Sequence, residues 1–241
     1  MAIPDRARSA ADDGTGGWPA RSFLGALPAA HRPELLDLGT PRRFERDTPL
    51  MLVGEPGAEA FLITEGCVKV TGGSVEGYPV LLAIRMAGDL VGELAVLDGE
   101  PRSATVLAAA PTVARAIPAA TLRRYLAEHP AVDSVLRNSV NAKFRQATRH
   151  RSEANGAPAP LRLARVLHRL AETYGEQRPG GVAIPVPLSQ ADLAALIGAS
   201  EQSIRRTLAD LRAQGIVKTS YRTMVIADLD GLQAWITQLN T

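Results

Sequence analysis

The sequence predicts an α+β chain, with strands in the first half and helices in the second. Three observations predict it. Between Arg42 and Ala116, short apolar runs alternate with Gly, Pro and Asp, the rhythm of short strands joined by turns. From about Thr121 the apolar residues fall at a helical period. Near the C-terminus, two short segments that each open on a serine flank Gly198, as two capped helices around a turn do.

Composition removes several classes of protein. At 241 residues and 46% hydrophobic, the chain fills the cores of two modest domains. It has no apolar run near the roughly 18 residues of a membrane span, and no basic segment leads into an apolar stretch at the N-terminus. A cytoplasmic protein with no membrane partner is expected. The single Cys67 excludes an internal disulfide and a cluster held by several thiolates of one chain. His31, His129, His150 and His168 show no metal-ligand spacing, so neither a metal nor an iron–sulfur cluster is expected. Gly72-Gly73-Ser74 lacks the lysine of a P-loop and reads as a hairpin. Without a nucleophile–base arrangement, an enzyme is not expected. Net charge is only +2, but Arg123–Arg151 carries seven basic residues against two acidic ones. That asymmetry leaves a polyanion open as partner.

The elements follow in order. Residues 1–20 are small, polar and Gly-rich, a disordered tail. A short helix is expected over Pro28–Leu36. The strand region follows, with Ala60–Ile63, Val68–Val70, Val80–Ile84 and Val113–Ile117 as its runs, and Gly54, Gly66, Gly88 and Gly92 in its turns. The pattern fits a small antiparallel barrel or sandwich. Val132, Leu136, Val140, Phe144 and Ala147 then mark one narrow stripe on a long helix. A stripe that narrow is a coiled-coil-like seam, hence a dimer interface. Asn155–Pro160 breaks the helix and serves as a hinge. A helix over Leu161–Tyr174 comes next, and Pro185 and Pro187 bound an extended segment that can form a small strand. Ser189 with Asp192 makes an N-terminal cap, Gly198 ends that helix, and Ser200 opens the next. Two strands near Ile216 and Val225 form a wing, and a helix over Asp230–Gln238 closes the chain.

Two constellations carry chemistry. In Gly92–Val106, a carboxylate (Glu93) and a guanidinium with a neighbouring hydroxyl (Arg102, Ser103) stand at opposite ends of a short segment. The carboxylate accepts from a sugar hydroxyl, and the planar guanidinium fork matches phosphate oxygens. A ligand with both a vicinal hydroxyl and a phosphate suits them. In the second constellation, Ser200, Gln202, Ser203, Arg205 and Arg206 share the outer side of the second capped helix, while Ile204 and Leu208 face inward. Arg pairs with guanine O6/N7 and Gln with adenine N6/N7. Ser189 and Gln190 at the start of the first helix and Arg222 in the wing complete the candidate contacts to double-stranded DNA.

On these residues the chain resembles the Crp/Fnr family of bacterial transcription regulators. Gly92–Val106 is similar to the family's phosphate-binding cassette, Gly88-Asp89 to the turn before it, and Leu188–Leu211 to its helix-turn-helix. The resemblance spans about Leu24–Leu232. It implies a cyclic-nucleotide-binding β-roll of jelly-roll type, a long dimerisation helix and a C-terminal winged helix-turn-helix. Gly92 and Leu94 would offer backbone groups, Glu93 would hold the ribose 2′-hydroxyl, and Arg102 with Ser103 the cyclic phosphate. Counting from His129-Pro130, Thr148 falls on one of two hydroxyl positions that reach adenine from the partner subunit, and Ala147 on the other. Arg206-Thr207-Leu208 sits on the family's guanine-reading Arg-x-Leu. Gln202 stands where a Glu is common, and Glu201 where the best-known members have Arg.

The resulting expectation is a homodimeric regulator that binds cyclic AMP as effector, controls an inverted-repeat operator and meets RNA polymerase. Its parts are a tail (1–20), a roll (21–130), the dimerisation helix (131–155) and the DNA-binding domain (156–241). One rival keeps the DNA binding but gives the roll another effector or none. Another makes the chain a cyclic-nucleotide-binding module acting on a partner protein.

Overall fold

The computed structural model describes residues 17–72, 80–154, 156–220 and 223–240. The chain forms two compact units. One takes the chain up to Val68 together with Arg85–Asn141, and the other takes Lys69–Ile84 and the chain from Ala142.

In the first unit the Ser22 hydroxyl accepts from the Gly25 amide and opens α1 (Phe23–Ala26). The helix expected over Pro28–Leu36 is broken in two, a 3-10 turn at Ala29–His31 followed by α2 (Arg32–Asp37). Pro33 explains the break. It has no N–H to continue a preceding helix, yet suits the first turn of a new one. Along the chain then come β1 (Thr40–Phe44), β2 (Pro49–Met51), β3 (Glu59–Glu65), β4 (Cys67–Gly72), β5 (Val80–Met86), β6 (Leu90–Val91), α3 (Glu93–Asp98), β7 (Thr105–Ala108), β8 (Thr112–Pro118) and α4 (Ala119–Glu128), with most of β4 and of β5 falling in the Lys69–Ile84 stretch assigned to the second unit. The strands make two four-stranded sheets, ordered β1-β8-β3-β6 and β2-β7-β4-β5, with antiparallel ladders. This is the roll. Gly54, Gly66, Gly88 and Gly92 all have positive φ in its turns. From Gly73, the expected Gly72–Ser74 hairpin lies outside the described residues.

The core of this unit joins sheet, helices and N-terminal segment. Phe23, Leu24, Leu35, Leu62, Leu90, Ile117 and Leu122 pack together, and Trp18 packs against them. The packed chain therefore starts before residue 20, because an indole offers too much apolar area to leave in water. The rest of the expected tail, up to residue 16, lies outside the described residues.

Helix α5 (Pro130–Ala154) is 25 residues long. Its apolar stripe has two fates. Val132 and Leu136 are fully buried in the core and Val140 packs against it, whereas Phe144 is 72% exposed.

The second unit continues with α6 (Ala159–Tyr174), β9 (Glu176–Arg178), β10 (Gly181–Ile184), α7 (Gln190–Ile197), α8 (Glu201–Ala213), β11 (Val217–Ser220), β12 (Thr223–Ile226) and α9 (Leu229–Gln238). Its sheet runs β11-β12-β10-β9, so the expected two-stranded wing is the edge of a four-stranded sheet. The small strand sought between Pro185 and Pro187 ends instead at Ile184. Proline has no N–H to give a ladder. Helix α6 buries Leu163, Val166, Leu167 and Leu170 on one face, as its helical spacing requires. Among the described residues no helix is long and apolar enough to cross a membrane.

Candidate functional site

The cassette residues come together in the first unit. Gly92 sits between β6 and α3 with φ +78° and ψ +8°, a left-handed conformation natural to glycine. Its carbonyl accepts from Arg102 Nη1 at 2.9 Å. A Cβ there would lie 2.6 Å from Arg102 Nη1 and 2.7 Å from Met51 Cε, so a larger residue would strain φ and also push the ends of these two side chains aside. Arg102 Nη2 donates to the Glu59 carbonyl. The Arg102 amide donates to the Glu55 carbonyl at 2.8 Å, and its own carbonyl accepts from the Gly54 amide at 2.9 Å. Arg102 and Glu93 are each only 5% exposed.

Burial pulls the Arg102 guanidinium below its ordinary range, while the Glu59, Glu55 and Glu93 carboxylates work to raise it. The site is thus a cation held in a dry, acid-lined place, with two of its five N–H groups taken by backbone carbonyls. The Glu59 carboxylate is itself engaged by Arg42 at 2.6 and 2.9 Å. Ser103 and Leu94 are exposed beside these buried charges. Thr148, on α5, bonds its own helix at the Phe144 carbonyl, 3.1 Å, and both it and Ala147 are exposed. Thr148 belongs to the second unit.

The helix-turn-helix is built by its caps. Ser189 Oγ accepts from the Asp192 amide at 3.0 Å, and the Asp192 carboxylate takes the Ser189 amide at 2.9 Å, a complete capping box. Gly198 ends α7 with φ +63°. Ser200 Oγ accepts from the Ser203 amide at 3.2 Å and opens α8. Ile204, Thr207, Leu208 and Leu211 are buried along α8. Ser189, Ser200, Gln202, Arg205 and Arg206 are exposed, and Gln190 and Ser203 are half-buried. Arg222 lies outside the described residues. A cleft of about 250 Å3 opens in this unit, lined by apolar Leu167, Leu193, Leu208 and Met224 and by polar Ser189 and Ser220.

Several positioning residues escape a reading of the sequence. Arg162, on α6, donates to the Ile197 and Gly198 carbonyls at 2.9 and 3.1 Å, satisfying acceptors that the end of α7 leaves open. Lys69 meets Asp192 at 2.7 Å within the same unit. Burial works to raise the Asp192 pKa, but the Lys69 ammonium and the Ser189 amide and hydroxyl hold it below the ordinary value. Arg212 ties α8 to the wing through Thr219 at 2.9 Å. In the first unit, Met51, Glu55 and Glu59 surround Arg102 from β2, the loop after it and β3. Folding also brings His31 and His129 together beside Glu34, a proximity that their spacing in the sequence does not show.

Comparison with known proteins gives the same two parts. Residues 41–129 match the model of the cyclic nucleotide-binding domain, and residues 161–235 that of the Crp-like helix-turn-helix domain. The anaerobic regulatory protein of Bacillus subtilis is 30% identical over 76% of this chain and 78% of its own length. The chain belongs to the Crp/Fnr family of transcription regulators. A CRP-like cAMP-activated global transcriptional regulator from Mycobacterium tuberculosis is 27% identical, over 80% of this chain and 86% of that protein. The fold is that of FixK2 from Bradyrhizobium japonicum, with a TM-score of 0.72 at 20% identity, covering 81% of this chain and 96% of that one. As a family member the chain is a DNA-binding regulator rather than an enzyme.

Proposed function

We propose that the chain is a cytoplasmic homodimer whose roll binds a cyclic nucleotide, cyclic AMP first, and thereby controls binding to an inverted-repeat operator. The observation that carries this reading is the convergence of Gly92, Glu93 and Arg102, with both charges withdrawn from water at one turn. A guanidinium and a carboxylate held in place and desolvated at one turn are preorganised for a ligand that carries both a phosphate and a hydroxyl. Three guanidinium N–H groups remain for a phosphate beyond the two on carbonyls, and Ser103 stands next to them. The relative named as cAMP-activated supports cyclic AMP over other nucleotides.

The dimer is supported by the exposed half of the α5 stripe. Phe144 and Ala147 continue the spacing of Val132, Leu136 and Val140, yet lie in water. A second copy of the helix would cover them as a coiled-coil seam does. Thr148 would then meet adenine across that seam. Arg206 would read a guanine, Gln202 and Arg205 neighbouring bases, and Ser189, Gln190, Ser200 and Ser203 the phosphates or base edges, with Arg222 on phosphate. RNA polymerase would be the further partner. The domain boundaries at about residues 20, 130 and 155 belong to this proposal.

Calorimetry with cyclic AMP and cyclic GMP tests it. Saturable binding, lost by roughly tenfold or more in Arg102→Ala or Glu93→Ala, is expected. No heat and no thermal shift at millimolar nucleotide would reject the ligand. A second reading, a roll with another effector, is favoured by one observation: the Gly92 and Glu59 carbonyls already engage Arg102. Ala147 agrees with it, since it offers adenine no hydroxyl. Ala147→Thr is expected to tighten cyclic AMP relative to cyclic GMP; equal changes for both would remove the cross-subunit contact.

A further inference from the structure

Three side chains of the first unit, none part of the cassette or the helix-turn-helix, converge on one point. His31 ends the 3-10 turn, Glu34 lies on α2, and His129 links α4 to α5. One imidazole nitrogen of each histidine and one Glu34 carboxylate oxygen lie within 4.8 Å of one another. The rings of His31 and His129 meet edge to face at 5.5 Å.

The hydrogen bonds around the cluster orient it for a cation. His129 Nδ1 is 2.9 Å from the Tyr125 carbonyl. A carbonyl only accepts, so Nδ1 carries the proton and the neutral ring keeps its lone pair on Nε2. Nε2 lies 3.5 Å from Glu34 Oε2, an ion pair when the ring is protonated and two lone pairs turned to one point, open to a cation, when it is neutral. The Tyr125 hydroxyl donates to the same Glu34 oxygen at 3.2 Å, and the Tyr125 ring stacks on His129 at 4.1 Å. A ligating histidine typically has its other N–H bonded to a backbone carbonyl and its partner carboxylate hydrogen-bonded from behind. Both features are present. The His31 imidazole makes no hydrogen bond among the described residues, leaving its nitrogens open.

We propose that His31, Glu34 and His129 bind one divalent transition cation, with zinc the fitting member. Two imidazoles and a carboxylate suit zinc, cobalt or nickel and not magnesium or calcium, which prefer oxygen alone. Tetrahedral zinc at ligand distances of about 2.0–2.2 Å spaces its ligands roughly 3.4 Å apart. The His129–Glu34 pair already has that spacing, and side-chain rotation of His31 closes the remainder. The fourth position is left to water. The site is open to solvent, since the His129 side chain is 23% exposed and that of Glu34 54%.

The ion would have a structural consequence. The His129 carbonyl accepts from the Val132 and Asp133 amides at 2.9 and 3.1 Å, so His129 starts α5. A cation there ties the N-terminal α2 segment to the first turn of the long helix. Binding to the folded chain raises its stability in proportion to the logarithm of free ion.

The test uses the full-length chain stripped with a chelator and dialysed, then titrated with zinc, and separately with cobalt for its visible spectrum. One equivalent per chain, a raised Tm and a cobalt spectrum of a nitrogen–oxygen site are expected. His31→Gln and Glu34→Gln are each expected to weaken binding by roughly tenfold or more while their metal-free Tm stays near wild type. His129→Gln serves as a third variant, read by the cobalt spectrum as well as by Tm because its ring also packs on Tyr125. No saturable binding overturns the proposal. So does full-strength binding in His31→Gln and Glu34→Gln, or binding lost instead with His168→Gln, whose ring lies 3.6 Å from Glu172. The readout needs neither nucleotide nor DNA.

Discussion

The cassette and the helix-turn-helix both depend on arginines, and treat them oppositely. Arg102 is 5% exposed, bonded to two carbonyls and surrounded by three carboxylates. Arg205 and Arg206 stand in water on the outer side of α8. The difference follows from the ligand each region is proposed to meet. A small ligand gains most from groups fixed and desolvated before it arrives. A polyanion gains from solvated charges that release its counterions on contact.

Their glycines sharpen the contrast and give the largest expected effect. Both Gly92 and Gly198 have positive φ, but a Cβ on Gly92 meets Arg102 and Met51 whereas one on Gly198 meets nothing within 4 Å. Gly92→Ala is therefore expected to cost about 3 kcal/mol of stability and to displace Arg102. Gly198→Ala carries only the backbone term, about 1 kcal/mol. Chemical denaturation of both variants checks this. Equal losses would mean that the packing around Gly92 yields freely and the cassette is not preorganised.

The two regions were also unequally legible in the sequence. The helix-turn-helix is specified locally: Ser189 with Asp192, Gly198 and Ser200 are caps whose partners lie within four residues. The cassette's residue types were legible, but not where they point. The acceptors of Arg102 come from Gly92 and from Glu59, on another strand, and no spacing encodes that. Helix α3 escaped notice because six residues give too little period to read. Arg162 and the His31–Glu34–His129 cluster were hidden for the same reason, since each joins segments far apart in the chain. The α5 stripe was visible in full, but its division into a buried half and an exposed half depends on where the core of the first unit ends.

An intermediate effect is expected at the DNA surface. Arg206→Ala should weaken binding to the preferred site by about 1–3 kcal/mol and relax one guanine position. Arg222→Ala should weaken all sequences alike and flatten the salt dependence. Sequence selection with each variant separates base reading from phosphate contact. An unchanged preference in Arg206→Ala would place the reading elsewhere.

The smallest effect concerns pH. The Asp192 carboxylate titrates below its ordinary value of about 3.9, so its contribution to stability is full above that value and is lost as pH falls through the lower, folded one. Asp192→Asn should remove that acid-side loss, and Ser189→Ala should cost about 1 kcal/mol through the same cap. Unfolding curves from about pH 5 down to about pH 2 check the sign; an Asp192→Asn chain with unaltered acid sensitivity would assign the loss to other carboxylates.

Coupling between the two regions is the central claim, and DNA affinity measured with and without cyclic AMP tests it most directly. The measurement uses an inverted repeat with half-sites roughly 34 Å apart, on wild type and on Arg102→Ala. Wild type is expected to bind that DNA roughly tenfold or more tightly with nucleotide present, a coupling of about 1.4 kcal/mol, and Arg102→Ala to show no response while keeping its nucleotide-free affinity. An affinity for DNA that does not change with cyclic AMP in wild type, or that changes equally in Arg102→Ala, would contradict it.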